Sequence, residues 1–186
     1  MPILGIMASQ MSGKLWAPDG AYDSLATVTV PSGGLASITF AGIPNTYKHL
    51  QIRMMCRLSG GSGSQSFTGV MRFNSDTGSN YANHYLYGTG SAAAAGVPGG
   101  SNPWNRIYYT MGSAQMSGNI VDILDYANTI KNKTTRILTG TDTNGGGYIA
   151  LESGLWINTS AITSISIAPE SGAFAEYSQF SLYGVR

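Results

Sequence analysis

From residue 24 to residue 186, apolar and polar positions alternate in short runs, separated by breaks rich in Gly, Ser, Asn and Pro. A period of two puts successive side chains on opposite faces, so each run predicts a half-buried β-strand. Ala26, Val28 and Val30 alternate with Thr27 and Thr29, residues 31–34 read as a turn, and Ala36, Ile38 and Phe40 alternate after it. That arrangement predicts a hairpin. Further strands are expected at 47–57, 67–73, 81–87, 116–125, 134–139, 148–152, 155–157, 162–168 and 174–185. The longest break, 88–105, holds the run Ala92-Ala93-Ala94-Ala95, too short to nucleate a stable helix. Strands near ten-residue spacing without helical periods predict an all-β, antiparallel, jelly-roll-like sandwich, not a parallel sheet with crossover helices. No repeat of fixed period suggests a propeller or solenoid.

Residues 1–20 follow neither period. Ile3, Leu4, Ile6, Met7, Met11, Leu15 and Trp16 are more apolar surface than a solvated tail normally carries. Two readings stand side by side: a frayed terminus, and an arm that becomes ordered on a neighbouring subunit. The second makes 1–20 an N-terminal arm and 21–186 the sandwich domain, with the seven named side chains as the arm's contacts.

Composition narrows the function. Only 10% of the 186 residues are charged and the formal net charge is +1. Such a balance gives no electrostatic footprint for nucleic acid and does little to keep copies apart. No apolar run approaches a membrane span, and the apolar start lacks the basic lead of a signal peptide. The sequons at Asn132 and Asn158 are expected in a chain so rich in Asn, Ser and Thr.

Candidate chemistry is sparse. Cys56 is the single cysteine and shares one strand face with Leu50, Ile52 and Met54, so it reads as a small buried hydrophobe and not a reactive thiol. His49 and His84, the two histidines, fall in no metal-binding or nucleophile motif. Of the nine carboxylates, Asp122, Asp125, Glu170 and Glu176 show no pairing that marks a hydrolase. The stretch from Asp142 to Gly147 looks like the start of a calcium loop, but position twelve is Ser153, where a bidentate Glu belongs, so a turn is expected. No metal or cofactor is expected. Tyr81, Tyr85, Tyr87, Trp104, Tyr108 and Tyr109 gather around the long break. Aromatics of this kind serve the core, a subunit interface or a sugar-binding surface. Tyr85, Tyr87, Trp104, Tyr108 and Tyr109 are the candidate loop contacts.

Residues 43–53, 121–129 and 153–165, with the ending Phe180-Ser181-Leu182-Tyr183-Gly184-Val185-Arg186, together resemble small structural proteins of tailed bacteriophages. Some of those are capsid cement or decoration proteins and others are tail-associated. The resemblance covers most of residues 20–186. It implies a non-enzymatic virion protein, most simply a decoration protein on the capsid surface that bridges major capsid subunits, and it implies a homotrimer with an extended arm. The alternative is a tail fibre or receptor-binding module that holds host-surface glycan. Neither reading calls for nucleic acid or membrane as a partner.

Overall fold

In a computed structural model, described for residues 20–59, 65–98, 101–111, 115–142 and 144–186, the chain forms twelve strands in two sheets. They are β1 (Tyr22–Thr29), β2 (Ile38–Ala41), β3 (His49–Cys56), β4 (Gln65–Phe73), β5 (Tyr81–Gly88) and β6 (Ala93–Gly96). There follow β7 (Asn105–Met111), β8 (Ser117–Leu124), β9 (Lys133–Asp142), β10 (Gly147–Trp156), β11 (Ser164–Pro169) and β12 (Gln179–Val185). Among the described residues there is no helix, and so none long and apolar enough to cross a membrane. The expected all-β antiparallel sandwich is what the chain forms.

The larger sheet runs β1-β12-β3-β8-β9-β10-β5-β6 and the smaller β2-β11-β4-β7, with every pairing antiparallel. Pairing partners nest: β1 with β12, β2 with β11, β3 with β8, and β4 with β7. This is a long hairpin wound over two sheets. Two insertions, β5–β6 and β9–β10, widen only the larger sheet.

That winding corrects one expectation. The turn after β1 exists, with Gly34 N–H donating to Pro31 C=O at 3.1 Å, but β1 and β2 do not pair. They enter different sheets, because the long-range partners β12 and β11 take their edges. The break at 88–105 is also shorter than expected: Ala93–Gly96 forms the edge strand β6, and β7 begins at Asn105. The runs at 148–152 and 155–157 are one strand, continuous through Gly154.

Between the sheets, Leu50, Ile52, Met54, Val121, Ile123, Ile137, Phe180 and Leu182 of the larger sheet face Ile38, Phe40, Met71, Phe73, Ile107, Ile165 and Ile167 of the smaller. Each such side chain contributes about 1.5–3 kcal/mol when fully buried. At one end of the core Phe73 lies 5.5 Å from Trp156, which stacks on Tyr81 at 6.3 Å. Two polar side chains buried in the larger sheet are paired. Asn119 accepts from Thr139 Oγ1 at 2.8 Å and donates to Ser117 and to the Cys56 sulfur. Lys133 is fully buried, and its ammonium donates to the carbonyls of Lys131 and Thr159 at 2.8 and 3.0 Å. Burial pulls its pKa below the ordinary lysine value.

Candidate functional site

The chemistry-bearing side chains stay apart or do structural work. Cys56 is fully buried and burial pushes its thiol up to about 12. His49 Nδ1 accepts the backbone N–H of Asp125 at 3.0 Å, which fixes the turn after β8. Asp125 forms ion pairs with Lys131 at 3.0 Å and Lys48 at 3.1 Å, and the Lys131 hydrogen bond leads in holding its carboxyl below the ordinary range. Asp142 Oδ1 accepts the N–H of Asn144 at 2.8 Å, an Asx turn of the kind expected there. No group of three His, Cys, Asp or Glu side chains is placed to hold a metal ion among the described residues.

Of the aromatic contacts expected, Tyr85 and Tyr87 do come together. Both point to the inner side of the larger sheet, opposite Glu152 and Ala150 of β10, and are half-buried. Their rings stack at 6.0 Å, Tyr87 stacks on Tyr148 at 5.0 Å, and the Arg106 guanidinium lies 4.9 Å from the Tyr85 ring. Trp104 instead takes the Arg72 guanidinium at 5.6 Å. The side chains of Tyr108 and Tyr109, and the arm contacts Ile3, Leu4, Ile6, Met7, Met11, Leu15 and Trp16, lie outside the described residues.

What stands out lies on the other side of the larger sheet. Register carries a straight row across it: Ser181, Arg53, Ile120, Leu138, Leu151, Leu86 and Ala95, one from each of β12, β3, β8, β9, β10, β5 and β6. The four large apolar members are exposed: Ile120 by 40%, Leu138 by 46%, Leu151 by 55% and Leu86 by 53%. The next row is Gln179, Met55, Gly118, Gly140, Ile149 and Gly88, with Met55 and Ile149 also exposed. A Cβ added at Gly118 or Gly140 would meet nothing within 4 Å, so these paired glycines floor a trough beside the apolar ridge. Arg53, Ile120, Leu138, Gly140 and Ile149 line the shallow groove that results.

The third row, Tyr183, Gln51, Asp122, Arg136, Ser153 and His84, is polar. It is knit by hydrogen bonds: Arg53 Nε donates to Gln51 Oε1 at 2.7 Å, and Gln51 Nε2 donates to Asp122 Oδ1 at 2.8 Å. The Arg53 guanidinium also lies between the Tyr22 and Tyr183 rings, 5.1 and 5.0 Å from their centroids. The face is therefore half ordered polar network and half uncovered aliphatic rows. What it offers is contact area, since exposed contiguous apolar surface marks interaction sites.

Sequence reasoning did not single out this face. Its signal was present in the doublets Met54-Met55, Ile120-Val121 and Ile137-Leu138, where alternation fails because both faces of a strand are apolar. No protein-family model, curated protein or solved structure matches the chain.

Proposed function

We propose that the chain is a non-enzymatic structural protein of a tailed-bacteriophage virion, a decoration protein that lays the outer face of its larger sheet on major capsid subunits. The observation that carries this reading is the exposed row Ile120–Leu138–Leu151–Leu86 with Met55 and Ile149 beside it. A protein that works by spread contact needs a broad, rigid, partly apolar surface, and a face built on paired strands is held at fixed spacing. The polar row alongside supplies a hydrogen-bonding rim. A net charge of +1 lets many copies sit side by side without strong repulsion. The resemblance of residues 43–53, 121–129, 153–165 and 180–186 to phage structural proteins supports the same reading, and the apolar residues 1–20 enter it from sequence, as an arm adding contact area.

Copy number and position in purified particles test it. Copies in proportion to the major capsid protein, imaged on the capsid surface, are expected. A handful of copies at the tail would favour the receptor-binding reading, and absence from the particle would overturn both.

A further inference from the structure

We propose that the edge of the larger sheet at β6, open among the described residues, pairs with β6 of a second copy of this chain, about a two-fold axis normal to the sheet. The argument is independent of what the outer face binds. An edge strand presents unpaired backbone N–H and C=O groups, and proteins guard such edges with bulges, charges or covers. At the opposite edge, β1 carries a register shift between Ser24 and Ala26 and an ion pair from Asp23 to Arg186 at 2.7 Å. No Asp, Glu, Lys or Arg occurs from residue 85 to residue 105, so β6 carries no charged guard of its own. Ala93, Ala94 and Ala95 are all exposed. Two exposed apolar side chains flank the edge, Leu86 and Val97, the latter by 58%.

The strand is also held in place for pairing. The Tyr85 ring lies over Gly96, with its hydroxyl 2.6 Å from where a Cβ would sit, so only glycine there lets the ring cover β6. An edge already ordered costs less to dock.

The occupant follows from geometry and charge. A strand that meets its own copy about an axis normal to the sheet runs antiparallel to it and keeps both outer faces on the same side. The two outer faces then form one surface, in which Ala95 of the apolar row meets Ala93 of the second copy, the residue that continues that copy's row of Gly88 and Ile149. An uncharged edge meeting itself incurs no like-charge repulsion. Residues directly opposite must share a face, so the pairing centres on one residue. Centring on Ala94 sets Ala94 opposite its own copy, with Ala93 facing Ala95 of the other copy.

Sedimentation equilibrium of the full chain over a micromolar range tests this, with circular dichroism and melting temperature as folding controls. A reversible monomer–dimer equilibrium is expected for the native sequence. The double change A93K/A95K sets lysine against lysine and should weaken dimerisation about tenfold or more. The double change A93K/A95E sets lysine against glutamate in the same register and should restore it. A monomer at all concentrations, a trimer alone, or equal association in both doubly substituted chains would each overturn the edge pairing. Particle attachment by a monomeric variant would overturn nothing in the virion reading, so the two proposals fail separately.

Discussion

The indole N–H of Trp156 donates to Asp76 Oδ2 at 2.7 Å, which ties the end of β10 to the turn between β4 and β5. Asp76 also accepts the N–H of Gly78 at 2.8 Å and the amide of Asn80 at 3.0 Å. Beside it, the Tyr81 hydroxyl accepts the N–H of Phe73 at 3.0 Å. One carboxylate thus satisfies the polar atom of a tryptophan that is otherwise in the core.

Replacing Asp76 with Ala should therefore destabilise the fold by about 1.5–3 kcal/mol, because the buried indole N–H loses its charged acceptor. Chemical denaturation at neutral pH measures it. The same bonds, that from Trp156 first, hold the Asp76 carboxyl below its ordinary value. A folded pKa below the unfolded one means stability that is fully present above the unfolded value and lost as pH falls through the folded value. Acidification from pH 5 towards pH 2 should then cost the native chain more stability than Asp76→Asn. Equal losses in the two chains would show that Asp76 does not carry this dependence.

Cys56 should be inert in the folded protein. Its thiol is buried, pushed up to about 12, and touched by the Asn119 amide at 3.7 Å. At pH 8 almost none of it is thiolate, and reagent cannot reach it. A thiol reagent should label the chain only after denaturant is added. Rapid labelling of the native protein would contradict the packing of β3 against the smaller sheet.

The strands were legible because burial writes a period of two into them: β8, β9 and β10 show it over most of their lengths. The pairing was not legible, since β1 and β2 sit on either side of a good turn yet find partners more than a hundred residues away in β12 and β11. Turn chemistry is local, and sheet membership is decided by which faces can be buried together. Strand β6 escaped notice because Ala and Gly have low strand propensity and its order comes from β5, including the Tyr85 ring over Gly96. The outer face escaped because doublets such as Ile137-Leu138 read as noise in an alternating pattern until register lines them up. The burial of Cys56 and the turn at Asp142 were both legible, being properties of a few neighbouring residues.

Gly184 should resist substitution. It sits in β12 with the Tyr47 ring laid across it, where any Cβ would overlap the ring. Gly184→Ala must displace Tyr47, which packs against the core and whose ring lies 5.9 Å from the Arg186 guanidinium. We expect a loss of about 1–3 kcal/mol, the range for overpacking a filled site. At Gly118, where a Cβ meets open space, alanine should change stability by less than about 0.5 kcal/mol. Paired melts of the two variants check the contrast.

Ile137 and Leu138 are neighbours in β9 and should give opposite results when changed to Arg. Ile137 is 1% exposed in the core, and Leu138 is 46% exposed on the outer face. A guanidinium at 137 would be buried without a partner, which costs several kcal/mol and should abolish cooperative folding. At 138 the arginine head reaches water along its own stem, so the fold should keep its melting temperature within a few degrees. The loss should fall on association: the variant breaks the apolar row between Ile120 and Leu151 and removes contact area that only a bound surface would cover. Binding of the folded Leu138→Arg chain to particles lacking the native protein should weaken markedly against the native chain. Undiminished attachment would show that the outer face of the larger sheet is not the side that docks.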